Sequence, residues 1–229
     1  MATRVFLIWH GATTLSAEDR FAGSTDVLLS DEGREQAALL GKRLAGEKLA
    51  AIYCSPMKRT RETAELVARP HALALIGRDG LREIDHGHWE QMRRSEVEKA
   101  FPAEYSAWET DPFTFAPQGG ESGLAVMARA LPVVREAVLA HADRSIAIVS
   151  HKATLRLTIA SLLGIDARGY RDRLDLSPAS LSVLDFKDAV RARLVLWNDT
   201  SHYASQPRRS ESALSKWWDQ SAPGARPPG

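Results

Sequence analysis

"VFLIWHGATT", residues 5–14, reads as a strand that runs directly into a loop carrying a histidine. Val5, Phe6, Leu7 and Ile8 form an apolar, partly β-branched run of the kind buried on both faces of a sheet. His10, Gly11 and Thr13 then stand at the strand's carboxyl end, where open α/β sheets place their ligands. A cation is expected beside a histidine that handles a charged substrate, and here the neighbour is Trp9.

Outward from this stretch, strands and helices alternate. "LSDEGREQAALLGKRLAGE" (29–47) is an amphipathic helix opened by Ser30, with Asp31 and Glu32 in its first turn. "LAAIYCS" (49–55) is the next strand, followed by the helix "MKRTRETAELVAR" (57–69), which Pro70 ends. A polar and aromatic stretch runs from about 84 to 121, and the helix "ESGLAVMARALPVVREAVLAHA" (121–142) leads to "SIAIVSH" (145–151), the clearest buried strand. "ATLRLTIASLLGI" (153–165) is a helix, and "SLSVLDF" with "ARLVLWND" forms a late pair of strands. This rhythm predicts an α/β fold, a three-layer sandwich with a mainly parallel central sheet and helices on both faces. His10 and His151 then follow two separate strands and can converge on one crevice. The expected division is one α/β domain over 1–205, with a cap segment at about 91–120, and a Pro/Ser/Arg-rich tail over 206–229.

Composition bounds the function. The 229 residues are 44% hydrophobic and 26% charged, with a net charge of +1, so neither nucleic acid nor a membrane surface is an expected partner. The lone cysteine, Cys54, excludes an intrachain disulfide and a cysteine-based zinc site, and an inert buried thiol is the plain reading of it. With no leader-like apolar segment at the N-terminus, the cytoplasm is the expected compartment. His86 and His88 have a spacing that can bind zinc, but no third ligand accompanies them, so no metal and no cofactor is expected.

Four segments belong together: "WHGATT" (9–14), "SPMKRTRETA" (55–64), "LREIDHGHWE" (81–90) and "IVSHKATLR" (148–156). In this order, and with "RFAGSTDVLLSDEGREQA" (20–37) between the first two, they resemble the histidine phosphatase superfamily, the phosphoglycerate mutase-like proteins. The resemblance implies that His10 is a nucleophile that becomes phosphohistidine. It also implies that Arg59 clamps the phosphoryl oxygens, His151 donates to them, and Glu83 protonates the leaving oxygen. Gly11, Thr13, Ser16 and Arg20 line the loop and the pocket mouth on the same grounds.

The chemistry suits these residue types. A phosphoryl group in transfer spreads negative charge over its equatorial oxygens, so catalysis is mainly positioning and electrostatic stabilisation. Neutral imidazole is a competent nucleophile near neutral pH and divides hydrolysis into two steps. The acid has to stay protonated until the ester bond breaks, and Glu83, in a strand-to-loop segment with Ile84 and Trp89, is expected in an apolar setting that keeps it so. Taken singly, each residue has a plainer reading: a structural histidine, a solvated helix arginine, a glutamate paired with Arg82 or Arg61.

The departures from the family pattern are Trp9 where an arginine is usual, Ala12 and Ser16 in the loop, and Lys152 after His151 in place of a glycine. Loss of a fork donor to the phosphoryl group costs about 3 kcal/mol, or about two orders of magnitude in rate. Lys152 either returns positive charge to the pocket or snorkels outward. The expected function is a phosphomonoesterase for a small phosphorylated metabolite, weakened or retuned by Trp9, with a homodimer as a possible assembly. The alternatives are a divergent member using the pocket for other chemistry or ligand binding, and a mutase. The mutase reading is disfavoured because "REIDHGHWEQM" runs directly into a helix, without the insertion that mutases carry there.

Overall fold

The computed structural model describes residues 2–14 and 20–204. Strand β1 (Thr3–Trp9) lies inside a six-stranded sheet of order β3-β2-β4-β1-β5-β6, with β2 at Leu49–Cys54, β3 at Leu75–Gly77, β4 at Ser145–Ser150, β5 at Leu181–Phe186 and β6 at Ala192–Asp199. The four strands from β3 to β1 run parallel, whereas β5 pairs antiparallel with both β1 and β6. The continuous apolar run in β1 follows from its central place, with neighbours on both edges and helices on both faces.

Alternation along β1 divides the core. Phe6 and Ile8 pack with Ile52, Cys54, Ala147 and Val149 against Leu40 and Leu44 of helix α1 (Asp31–Leu44) and Ala64 and Val67 of α2 (Lys58–Ala68). Val5, Leu7 and Trp9 point the other way, toward α5 (Gly123–Ala140) and α6 (Lys152–Leu163). These are the three expected layers. Ser30 caps α1 by accepting from Gly33 N at 3.1 Å, and Gly164, at φ 68°, closes α6 in a left-handed turn.

Between β3 and α5 the chain builds a cap from a 3-10 turn (Gly87–Trp89) and helices α3 (Arg94–Ala100) and α4 (Pro102–Thr110). Its own small core consists of Phe21, Trp89, Val97, Tyr105 and Trp108. Phe115 stacks on Trp89, and Phe113 packs against the core of the sheet, so most aromatics of the 91–120 segment serve packing. The short strand β3 and helix α7 (Tyr170–Arg173) are additions to the expected elements. The expected tail from 206 onward lies outside the described residues.

The register sets up the site. Trp9 pairs with Ser150 across the parallel β1–β4 ladder, so His10 and His151 leave the sheet side by side at the same carboxyl edge.

Candidate active site

His10 is buried, with Nδ1 at 2.8 Å from the carbonyl oxygen of Gly11 and Nε2 accepting from Arg59 Nε at 3.1 Å. Guanidinium has only donors, so Nε2 carries a lone pair and the proton resides on Nδ1. Burial, and then the positive charge of Arg59, hold the imidazole well below its ordinary pKa, leaving it neutral at physiological pH. Arg59, in the first turn of α2, is fixed by donating to the carbonyls of Thr25 and Gly23, each at 2.8 Å. Glu90 braces that loop from the cap by accepting from Ser24 N at 2.6 Å and Thr25 N at 2.8 Å.

The strand-to-helix loop approaches α1 very closely. A Cβ on Gly11 would stand 2.3 Å from the carbonyl oxygen of Gly33, and one on Gly33 would stand 2.1 Å from that of Ala12. Both positions require the absent side chain, because backbone is what it would meet. Gly11 N donates to Thr63 Oγ1 at 3.1 Å and Ala12 N to Gln36 Oε1 at 3.1 Å, which fixes the loop to both helices of that face.

His151 is fully buried at the head of α6, its ring edge-on to that of His10 with centroids 5.3 Å apart. Its Nε2 lies 2.9 Å from Ser55 Oγ, a partner that the sequence segment "SPMKRTRETA" contains but that Arg59 overshadows in reading it. Burial and the Arg59 charge push its pKa well below 6.5 as well. Glu83 reaches the first turn of α6, where Oε2 accepts from Ala153 N at 3.2 Å and Oε1 from Thr154 N at 3.2 Å and Thr154 Oγ1 at 3.1 Å. The apolar setting expected for this carboxyl is therefore replaced by helix N–H donors, which orient it. Arg82 pairs instead with Asp79.

A cavity of about 220 Å³ opens over these groups, lined among others by Trp9, His10, Thr13, Arg20, Arg59 and Glu83. Gly11 and His151 stand behind this wall, in supporting positions. Ser16 lies outside the described residues. Arg20 donates to the carbonyl of Gln91 at 2.7 Å, tying the pocket mouth to the cap. Trp9 is edge-on to His10 with ring centres 5.6 Å apart, and its indole N–H is buried with no acceptor among the described residues. Lys152 lines the cavity, with Nζ 5.1 Å from the centre of the Trp9 ring and 3.0 Å from Asp175 Oδ1. Among the lining residues six are cationic (Arg20, Arg59, Arg94, Lys152, Arg156 and Arg171) and one, Glu83, is acidic. Sequence reading alone missed Arg156 and Arg171, since a helix arginine has no signature that distinguishes a cavity wall from a surface. His86, half-buried and held neutral with a pKa of about 3, also lines the cavity, whereas His88 pairs with Glu104 at 3.3 Å.

Comparison with known proteins places this geometry. The family model for the histidine phosphatase superfamily (branch 1) matches residues 5–200. Phosphoserine phosphatase 1 of Hydrogenobacter thermophilus is 33% identical over 199 residues, covering 87% of this chain and 93% of that protein. Glucosyl-3-phosphoglycerate phosphatase of Mycolicibacterium vanbaalenii is 31% identical over 225 residues, covering 88% and 97%. Among solved structures, YhfR of Bacillus stearothermophilus superposes with a TM-score of 0.82 at 31% identity, covering 88% of this chain and 99% of that one.

Proposed function

Because this chain belongs to the histidine phosphatase superfamily, and with it is a phosphoric monoester hydrolase of small phosphorylated metabolites, we propose that His10 is the nucleophile of a two-step hydrolysis. The observation that carries this reading is the His10 ring itself, with Nδ1–H on the Gly11 carbonyl and the Nε2 lone pair on the floor of the cavity. In the first step Nε2 forms a bond to phosphorus as the ester oxygen leaves, and Glu83 gives that oxygen a proton. In the second, Glu83 takes a proton from water as the water oxygen attacks phosphorus. Orthophosphate departs and His10 is regenerated. Arg59 Nε–H exchanges the imidazole for a phosphoryl oxygen when substrate enters, so the clamp and the nucleophile are released together. His151, through Ser55, holds the edge of the His10 ring.

This chemistry draws its charge stabilisation from side chains and does not call for a metal. The cationic wall and the relatives named for phosphoserine and glucosyl-3-phosphoglycerate support substrates that carry an acidic group besides the phosphate. A panel of such monoesters, with phosphate release as readout, tests the substrate class. The cytoplasm is the proposed compartment, in keeping with a lone, buried cysteine whose thiol is pushed up to about 11 by burial.

Rapid quench with phosphorus-labelled substrate is expected to trap an acid-labile, base-stable adduct on the enzyme, absent in His10→Ala. Turnover surviving in His10→Ala would overturn the assignment.

A further inference from the structure

Two neighbours of the paired histidines, Trp9 before His10 and Lys152 after His151, meet in the cavity wall. Trp9 is in edge contact with the His10 ring and also carries the Lys152 ammonium over its face at 5.1 Å. The ammonium thus sits over the π-face of the indole, and such a face attracts a cation. Asp175, half-exposed, holds the same ammonium at 3.0 Å and Arg156 at 2.8 Å, so one carboxylate serves two cations. Two positive charges held against a single negative one, beside a nucleophile for phosphoryl transfer, leave a net charge for a bound oxyanion to neutralise.

We propose that Trp9 and Lys152 act as one unit, in which the indole seats the Lys152 ammonium in the wall of the His10 cavity as a second cation for the phosphoryl group. The proposal rests on the phosphatase reading and adds to it a titratable clamp. A guanidinium holds its charge throughout the working range, whereas this ammonium does not. Burial, and then the repulsion of Arg156, bring Lys152 down to about 8, against the attraction of Asp175. The other groups facing it are Arg94 from α3, which lowers it further, and Glu83 at the first turn of α6; Trp9, from β1, brings no charge. Oxyanion affinity is therefore full at neutral pH and declines as pH rises through about 8.

The test is competitive inhibition by inorganic phosphate, measured across pH on the intact enzyme and on variants. In the unaltered protein the inhibition constant is expected to rise several-fold between about pH 7.5 and about pH 9.5 and to level off about tenfold above its neutral value, and a constant that stays flat to about pH 9.5 overturns the proposal without any variant. Lys152→Met is expected to weaken phosphate inhibition by about tenfold at neutral pH, and Lys152→Arg to retain it while abolishing the alkaline decline. Trp9→Arg is expected to tighten phosphate binding by about tenfold in the Lys152→Met background and by much less with Lys152 in place, because the two cations then compete for one position. Equal gains in both backgrounds, or an alkaline decline that persists in Lys152→Arg, overturn it. Failure to trap phosphate on His10 would remove the nucleophile assignment and leave this comparison standing, because inorganic phosphate inhibition reads oxyanion affinity alone.

Discussion

Single residues at this site act through their hydrogen-bond partners. Glu83 is held by three donors at the head of α6, in the wall of the His10 cavity where the proposed mechanism needs a proton donor. Glu83→Gln keeps the acceptor oxygen and removes the transferable proton. It is expected to slow alkyl phosphates by about 100-fold or more and activated aryl phosphates, which leave unprotonated, by less than about tenfold. Equal losses on both, compared as kcat/KM, would reduce Glu83 to an orienting group. Lys152 gives the opposite balance between stability and activity. Its folded pKa of about 8 lies below the ordinary 10.5, so the unfolded chain binds that proton more tightly, a penalty present below about pH 8 and relieved as pH rises toward 10.5. With its side chain 27% exposed and Asp175 left paired to Arg156, Lys152→Met is expected to stabilise the fold at neutral pH by about 1–3 kcal/mol in urea unfolding, even as phosphate binding weakens. His10, Arg59, Glu83 and His151 were legible in the sequence because each lies in a motif of fixed order. Ser55 and Arg156 were not, because neither burial nor the direction of a helix side chain is written in local spacing.

At the scale of elements, the sequence carried the strands and helices of the sheet and lost the short connections. β1 and β4 are continuous apolar runs and α1 is amphipathic, with caps at Ser30 and Gly164 that mark where α1 begins and α6 ends. Leu75–Gly77 is too brief for an alternation to show, and it forms a strand only because β2 offers it an edge. The cap likewise depends on Phe21, which packs into it from far upstream in the chain. In the proposed mechanism the nucleophile is positioned by the contact of the His10 loop with α1. Glycine inside a helix is ordinarily improved by alanine, by about 1 kcal/mol. At Gly33 the added methyl would stand 2.1 Å from the Ala12 carbonyl, and such overpacking against backbone costs about 1–3 kcal/mol. Gly33→Ala is therefore expected to lower stability by up to about 2 kcal/mol, and to lower kcat/KM further by displacing the His10 loop. A stabilised, fully active variant in paired urea and rate measurements would mean that the loop yields.

The whole molecule gathers neutral histidines around one cavity. His10, His151 and His86 come from three separate segments, and burial depresses each well below 6.5, with His86 at about 3. The sheet brings two of them together because parallel neighbours end at one edge, and the cap supplies the third beside Phe21. This arrangement keeps a nucleophile unprotonated, and it also ties the stability of the entire fold to pH. For a base whose folded pKa is lowered, the unfolded state takes up the proton first, so stability is complete above the unfolded value near 6.5 and is lost as pH falls below it. Between about pH 7.5 and about pH 5.5 a histidine held as low as His86 removes about 1.4 kcal/mol, and His10 and His151 act in the same direction. The half-buried His202, lowered to about 4, acts in the same direction. Urea unfolding at the two pH values is expected to show this loss. His151→Asn, if it folds, should recover part of the pH dependence while remaining less stable overall, because Ser55 loses its partner. A pH-independent unfolding free energy across that window would mean that the three imidazoles take up protons in the folded protein as readily as in the unfolded chain, and a His10 that titrates there has lost its lone pair over the acidic half of the window.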